Sequence, residues 1–171
     1  PQYRDQSLNP EEWDTFILSG AEDLVPVATR QPGVTRFRPR TEGIFAEIIR
    51  IRSGGNDYWQ VRSKDGLTSL YGTERPAGAA PDWRDPATLW DPARPQRILG
   101  WRLTQTTDTF GNRILYEYEP DSTSANRRHW DQLYLKRIRY VDYATGSGTD
   151  FLVSIEFEYD DQRPDPHSDY R

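Results

Sequence analysis

The chain has 171 residues, enough for one domain with a sizeable core, and carries a formal net charge of −5. Acidic and basic residues are interleaved, which indicates neither a nucleic-acid-binding patch nor a membrane-surface patch, and no apolar run approaches the roughly 20 residues of a membrane span. There is no cysteine, which excludes disulfides and thiolate metal sites. Because apolar residues make up only 35% but aromatic residues 13%, large rings are expected to do much of the packing.

The first part of the chain is predicted to be a β-meander. Residues 1–15 are polar and irregular and are expected to form a lead with at most one helical turn. Residues 43–52 carry apolar side chains on both faces, which indicates a strand that is covered on both sides or bends. Strong turns at 53–57 and 64–66 separate the short strands that follow. The strands predicted in this part are 15–18, 24–29, 36–40, 43–52, 58–62 and one within 67–72.

Residues 73–97 differ in composition from what precedes them. They are rich in proline, with scattered alanine and glycine. Such a stretch predicts a long surface loop or crossing segment, which we expect Trp83 and Trp90 to pin to the body of the protein.

The clearest hairpin lies after this loop. Residues 99–107 and 114–119 are predicted to pair across a tight turn in which Gly111 and Asn112 supply positive φ angles. A polar loop over 121–131 leads to two more strands, at 133–143 and 151–159. In the last strand Phe151, Val153, Ile155, Phe157 and Tyr159 alternate with polar residues and are predicted to share one face.

No stretch of at least twelve residues has the periodicity of an amphipathic helix. The sequence therefore predicts a single β-rich segment over 1–171, an all-β fold with a mainly antiparallel meander and hairpin sheet of about eight to ten strands. The Pro-rich crossing loop near 73–97 interrupts it.

The residues that usually carry chemistry are sparse. His129 and His167 are far apart in loop-like contexts, so no pair of histidine ligands is predicted. Asp57, Asp65 and Asp108 lie in turns, where local hydrogen bonds to the backbone are the expected role. Neither a phosphate-binding glycine loop nor a nucleophile elbow is present. We predict no catalytic, cofactor-binding or metal-binding residues.

The aromatic residues support two interpretations. Rings exposed on a sheet can form a sugar-binding platform, whereas rings that alternate along strands more often pack against each other. We favour packing and keep an independent carbohydrate-binding β-module as an alternative. The rings concerned are Trp59, Trp101, Trp130, Tyr58, Tyr116, Tyr118, Tyr134 and Tyr140.

Several segments, in this order, resemble one bacterial family. They are Leu18–Val27, Phe37–Arg40, Tyr58–Gly66, Asp108–Arg113 and Arg163–Arg171. The chain is similar to the SpvB-type region of virulence proteins, which is shared with the B component of insecticidal toxin complexes and related to RHS/YD-repeat proteins. The resemblance implies a segment of a large β-sheet shell that encloses or carries a toxic effector, in a secreted protein. The expected partners are other segments of the shell, toxin-complex subunits and the enclosed effector polypeptide. At 171 residues the chain is too short to close such a shell.

Some SpvB-type proteins also carry an ADP-ribosyltransferase, whose signature is an arginine, a Ser-Thr-Ser strand and a Glu-x-Glu. The chain contains Ser122, Thr123 and Ser124, and later Glu156 and Glu158. The three hydroxyl residues follow a proline in a loop-like context, and the two glutamates fall on the polar face of a strand. We therefore predict a non-catalytic segment, with the transferase as an alternative. In such a shell, basic residues are expected on the inner or the outer wall, namely Arg50, Arg52, Lys136, Arg137 and Arg139.

Overall fold

The computed structural model describes residues 15–18, 22–27, 31–40, 46–91, 94–120, 133–146 and 148–159. Every regular element in these ranges is a β-strand, which confirms the predicted all-β class. No helix long and apolar enough to cross a membrane occurs among the described residues. The predicted lead over 1–15 and the polar loop over 121–131 lie outside the described ranges, apart from Thr15.

Twelve strands are described. They are β1 (Phe16–Leu18), β2 (Glu22–Val27), β3 (Val34–Pro39), β4 (Ala46–Ile51), β5 (Tyr58–Ser63), β6 (Thr68–Tyr71), β7 (Thr88–Asp91), β8 (Arg94–Trp101), β9 (Leu103–Thr107), β10 (Arg113–Pro120), β11 (Leu133–Thr145) and β12 (Gly148–Glu156).

Ten of these strands form one antiparallel sheet in the order β1-β2-β3-β4-β5-β6-β9-β10-β11-β12. Each strand pairs with its neighbour in the chain except where β9 pairs with β6. The sheet is therefore the predicted meander, and it does not close on itself.

The crossing segment leaves the sheet after β6 and returns at β9. Its first part, residues 73–87, is irregular as predicted, but its second part forms an antiparallel hairpin of β7 and β8. The predicted strand over 99–107 is accordingly divided between two sheets, with the break at Arg102. There the amide of Arg102 donates to the carbonyl of Ala87, and the amide of Gly72 donates to the carbonyl of Arg102. These bonds tie the hairpin to the main sheet.

The first six strands curl around an aromatic core. Phe16 lies on β1 and Trp59 on β5, which are four strands apart and would be about 19 Å from each other in a flat sheet. Their ring centroids are 5.0 Å apart, so the sheet turns back on itself. The buried centre consists of Leu24, Phe37, Ile48 and Trp59.

The last four strands form a single layer. None of the described residues of β9 to β12 is buried. The turn between β9 and β10 has positive φ at Gly111 (92°) as predicted, whereas Asn112 does not adopt this conformation. Instead Asn112 donates from its amide and its side chain to the carboxylate of Asp108.

The prediction that the apolar residues of the last strand share one face is partly wrong. Val153 and Ile155 lie opposite Tyr140 and Ile138, as alternation requires. Phe151, however, lies against the guanidinium of Arg139, 5.0 Å from ring centroid to Cζ. On β11, beside this part of β12, Val141 has a φ of 59° and interrupts the regular strand geometry. Strand β12 also ends at Glu156, so Phe157 and Tyr159 follow it rather than belong to it.

Candidate functional site

An ion pair lies inside the part of the sheet formed by β1 to β6, which we call the curled half. Arg50 is on β4, two residues after the fully buried Ile48, and points to the same side. Its Nε and Nη2 atoms donate to the two carboxylate oxygens of Asp57, each at 2.8 Å. The Arg50 side chain is only 13% exposed and that of Asp57 22%, so the pair is largely removed from water.

Three aromatic rings surround this arginine. The Cζ atom of Arg50 is 4.7 Å from the ring of Phe16, 5.4 Å from Trp59 and 4.8 Å from Trp101. Trp101 also donates its indole N–H to the backbone carbonyl of Asp57 at 2.7 Å. The guanidinium therefore joins β1, β4, β5 and β8 through cation–π contacts and a bidentate hydrogen bond. We call Arg50, Asp57, Phe16, Trp59 and Trp101 the arginine cage.

The arginine cage corrects two expectations from the sequence. Arg50 does not line a wall of the sheet, because its charge is neutralised in the core. Asp57 is more than a turn residue, because its carboxylate holds Arg50 and also lies 3.7 Å from Nε of Arg52.

A second carboxylate anchors the crossing segment beside the cage. Asp85 accepts hydrogen bonds from the amides of Thr73 (2.5 Å) and Ala87 (2.9 Å). Burial raises the pKa of Asp85, and the nearby Asp57 adds to this rise. Gly72 is required here because it has a φ of 85° and a Cβ atom on it would lie 2.9 Å from both the Asp85 carboxylate and the Trp101 ring.

The single-layer strands β9 to β12, which we call the flat half of the sheet, carry a ladder of charges on one face. Glu117 on β10 lies opposite Arg137 on β11, which lies opposite Glu156 on β12. The separations are 3.5 Å for Glu117–Arg137 and 2.9 Å for Arg137–Glu156. Arg139 also pairs with Glu117 at 2.5 Å. We call Glu117, Arg137, Arg139 and Glu156 the charge ladder.

Two hydrogen-bonded carboxylates fix the neighbouring loops and strands. Asp108 accepts from the side chain and amide of Asn112 and from the amide of Phe110, and these bonds lower the pKa of Asp108. Asp142 accepts from the amide and Nε of Arg113, and the amide bond is the main cause that lowers the pKa of Asp142. Both aspartates therefore remain ionised at a lower pH than an unperturbed aspartate does.

Two cavities of similar size lie on the sheet. One of about 560 Å³ is lined mainly by apolar and aromatic side chains, among them Phe16, Trp59 and Trp101 of the arginine cage. The other, of about 540 Å³, lies between the crossing segment and β9 to β11 and is bordered by Glu74, Glu117, Lys136 and Arg139. Neither Glu156 nor Glu158 lines either cavity.

The transferase residues can be placed only in part. Ser122, Thr123 and Ser124 fall outside the described ranges. Glu156 ends β12 with a side chain that is 61% exposed and paired with Arg137, and Glu158 is exposed beyond the strand. Two residues of the transferase signature are therefore described. Glu156 takes part in an ion pair, and Glu158 faces solvent.

Two of the rings considered for a sugar platform, Trp59 and Trp101, pack against other rings. Trp59 is 6% exposed, and its ring contacts those of Phe16, Phe37 and Trp101 at 4.8 to 5.7 Å between centroids. Trp130, His129 and His167 lie outside the described residues. No group of three or more histidine, aspartate or glutamate side chains suited to a metal ion is found within the described ranges.

The fold belongs to the class of open antiparallel β-meanders. It combines a small aromatic core with a charged half that forms a single layer. The sequence identifies the family: residues 1–170 match the family described as "SpvB: Salmonella virulence plasmid 65kDa B protein". The chain belongs to this SpvB family, as its resemblance predicted. No curated protein matches it.

Solved structures share the fold. The N-terminal domain of effector protein SpvB from Salmonella typhimurium strain LT2 is 21% identical with a TM-score of 0.64, over 93% of this chain and 57% of that one. The Photorhabdus luminescens Tc holotoxin pore is 21% identical with a TM-score of 0.63, over 81% of this chain and 8% of that one. The TcdB2–TccC3–Cdc42 crystal structure is 25% identical with a TM-score of 0.57, over 75% and 7%. This chain therefore spans just over half of the SpvB domain and a small part of the toxin-complex chains.

Proposed function

We propose that this chain is a non-catalytic structural segment of a secreted bacterial toxin or virulence protein, where it forms one patch of a β-sheet shell that encloses or carries an effector. The observation that carries the proposal is the open sheet, whose last four strands have no buried residue among those described. Apart from the crossing segment, which borders one face at β9 to β11, no second layer among the described residues covers these strands, which suits a wall that is completed by neighbouring segments.

Exposed apolar side chains near the outer edge support this role. Leu152 is 70% exposed, Ile155 42% and Val141 48%. No strand among the described residues pairs with the outer edge of β12. Free edges of this length are normally covered, because they offer unpaired backbone groups to other chains.

The partners follow from the same proposal. The crystal structures that share this fold contain TcdB2 together with TccC3. By analogy, this segment contacts the rest of its own shell, other toxin-complex subunits and an effector polypeptide inside. Its working location is then outside the producing cell, on the way to a host cell.

The isolated chain tests the proposal. We expect circular dichroism to show a broad, weak thermal transition, or aggregation in size-exclusion chromatography with light scattering, because the flat half lacks its neighbours. A monomer with one sharp transition would contradict the shell role and favour an independent binding module.

Incubation with NAD tests the non-catalytic part of the proposal. We expect no release of nicotinamide and no transfer of ADP-ribose to protein. Turnover by the wild type that the Glu158→Ala variant abolishes would instead establish the transferase.

A further inference from the structure

The outer edge of β12 is the longest unpaired backbone in the described part of the sheet. β12 has nine residues and pairs with β11 on one side only, whereas the other edge strand, β1, has three residues and turns into the aromatic core. An added strand at β12 would gain backbone hydrogen bonds along its length.

Side chains at facing positions of adjacent strands form rows across the sheet. These rows indicate which side chains an added strand would carry. In one row Glu117, Arg137 and Glu156 alternate in charge across β10, β11 and β12. Glu156 keeps 61% of its side chain exposed although it pairs with Arg137, so it can accept a second cation from the outer side. Opposite charges at directly facing positions stabilise a sheet, and like charges destabilise it. The next position in this row is therefore suited to lysine or arginine.

Two rows of apolar side chains lie on the other face of the sheet. Tyr116, Ile138 and Ile155 form one row. Tyr140 and Val153 belong to the other. Ile155 remains 42% exposed at the end of its row. Between these two rows Ser154 faces Arg139 on the charged face.

We infer that the outer edge of β12 accepts one further strand of the toxin shell, with the order basic, apolar, polar, apolar opposite Glu156, Ile155, Ser154 and Val153. This inference rests on the proposed function and adds the chemistry of the neighbouring segment. Charge complementarity at Glu156 sets the register, since a slip by one residue would place the basic side chain on the apolar face.

Synthetic peptides test the inference on the whole chain. The probe is a short fluorescein-labelled peptide with lysine, valine, threonine and valine in that order, compared with a peptide that has glutamate in place of lysine. We expect the lysine peptide to bind about tenfold more tightly by fluorescence anisotropy at low salt, with the preference falling as salt is added. Methylation of the backbone nitrogens that face β12 should abolish binding, because strand addition needs these donors.

A matched pair of variants identifies the edge. Glu156→Gln is expected to remove the preference for the lysine peptide. Glu47→Gln serves as the control, because Glu47 also pairs across strands, with Arg36 at 3.4 Å, but lies on β4 with both edges occupied. The control variant should keep the tenfold preference.

Four outcomes would overturn the inference. Equal binding of both peptides would show that charge at Glu156 does not set the register. Binding that survives methylation would show that the peptide does not add as a strand. Self-association that Ile155→Lys abolishes would assign the edge to a second copy of the chain. A lack of peptide binding would show that the edge accepts no strand, whatever the unfolding experiment gives. A sharply unfolding monomer that still selects the lysine peptide would contradict the shell role alone.

Discussion

The two halves of the main sheet are built by different means, although the chain runs through them in the same meander. In β1 to β6 the sheet curls, and Trp59 and the other buried core residues are shielded from water beside the largely buried Arg50–Asp57 pair. In β9 to β12 the sheet stays a single layer with cross-strand ion pairs and no buried residue among those described.

This difference matters because burial of apolar surface is the main source of folding free energy, and partly exposed ion pairs contribute little. The curled half contains its own core. The flat half depends on its register with the curled half and, under the proposed function, on segments outside this chain.

The largest effect is expected from the core of the curled half. Trp59→Ala should lower the free energy of unfolding by about 3–5 kcal/mol, because it leaves a cavity among three other rings. Urea denaturation of the curled half, followed by the tryptophan fluorescence of its core, measures this loss. Phe110→Ala is the control, since Phe110 is 90% exposed in the turn of the flat half and should change stability by less than about 0.5 kcal/mol. Similar losses for both variants would contradict the division into two halves.

A somewhat smaller effect is expected from the ion pair. Asp57→Asn leaves the Arg50 guanidinium uncompensated in a largely buried site and should cost about 3 kcal/mol. Arg50→Met combined with Asp57→Asn should recover part of this loss, because the uncompensated charge is then gone. Glu47→Gln, which breaks the exposed pair with Arg36, should cost about 1 kcal/mol or less. Equal losses for Asp57→Asn and Glu47→Gln in urea denaturation would show that the arginine cage adds nothing.

Lowering the pH should have opposite effects on two sets of aspartates. It should remove the stabilisation by Asp108 and Asp142 and should favour the fold at Asp85. The lowered pKa values of Asp108 and Asp142 mean that their stabilisation is present above the ordinary value of 3.8 and is lost as the pH falls through their values in the fold. The raised pKa of Asp85 means that its contribution is present below 3.8 and is lost as the pH rises through its value in the fold.

Hydrogen exchange monitored by NMR from neutral pH down through the acid range measures this difference once intrinsic rates are corrected. The amides of Phe110, Asn112 and Arg113 should lose protection in acid, and those of Thr73 and Ala87 should not. In the Asp142→Asn variant the acid-dependent change at Arg113 should disappear. A uniform loss of protection at all five amides would contradict the assignment.

Sequence reasoning found most strands because alternation and turn residues are local signals. The turns around Gly66 and Gly111 and the strands on either side of them follow from such signals. The β7–β8 hairpin was missed because the prolines of this segment indicate a loop. Pro95 nevertheless lies in β8, in a two-stranded sheet where each strand is an edge and proline is tolerated.

The arginine cage was missed for a different reason. A charged residue on a strand is normally assigned to solvent, and the partner rings come from strands that meet only after the sheet curls. One signal was available, because Arg50 alternates with Ile48 on the apolar side of β4 and Asp57 follows in the next turn. The contacts of Phe16 and Trp101 depend on three-dimensional curvature, which no local pattern reports.

The sequential order of the strands has a mechanical consequence. A pull on Glu156 acts first on β12 and opens its backbone hydrogen bonds with β11 one after another, because the backbone of each strand pairs only with its neighbours. β11 and β10 would follow in turn at low force. The peeling would stop at β9, where further extension has to draw the Trp101 ring out of its contacts with Trp59 and Asp57. The molecule therefore has a weak end that unravels stepwise and a mechanical clamp that resists.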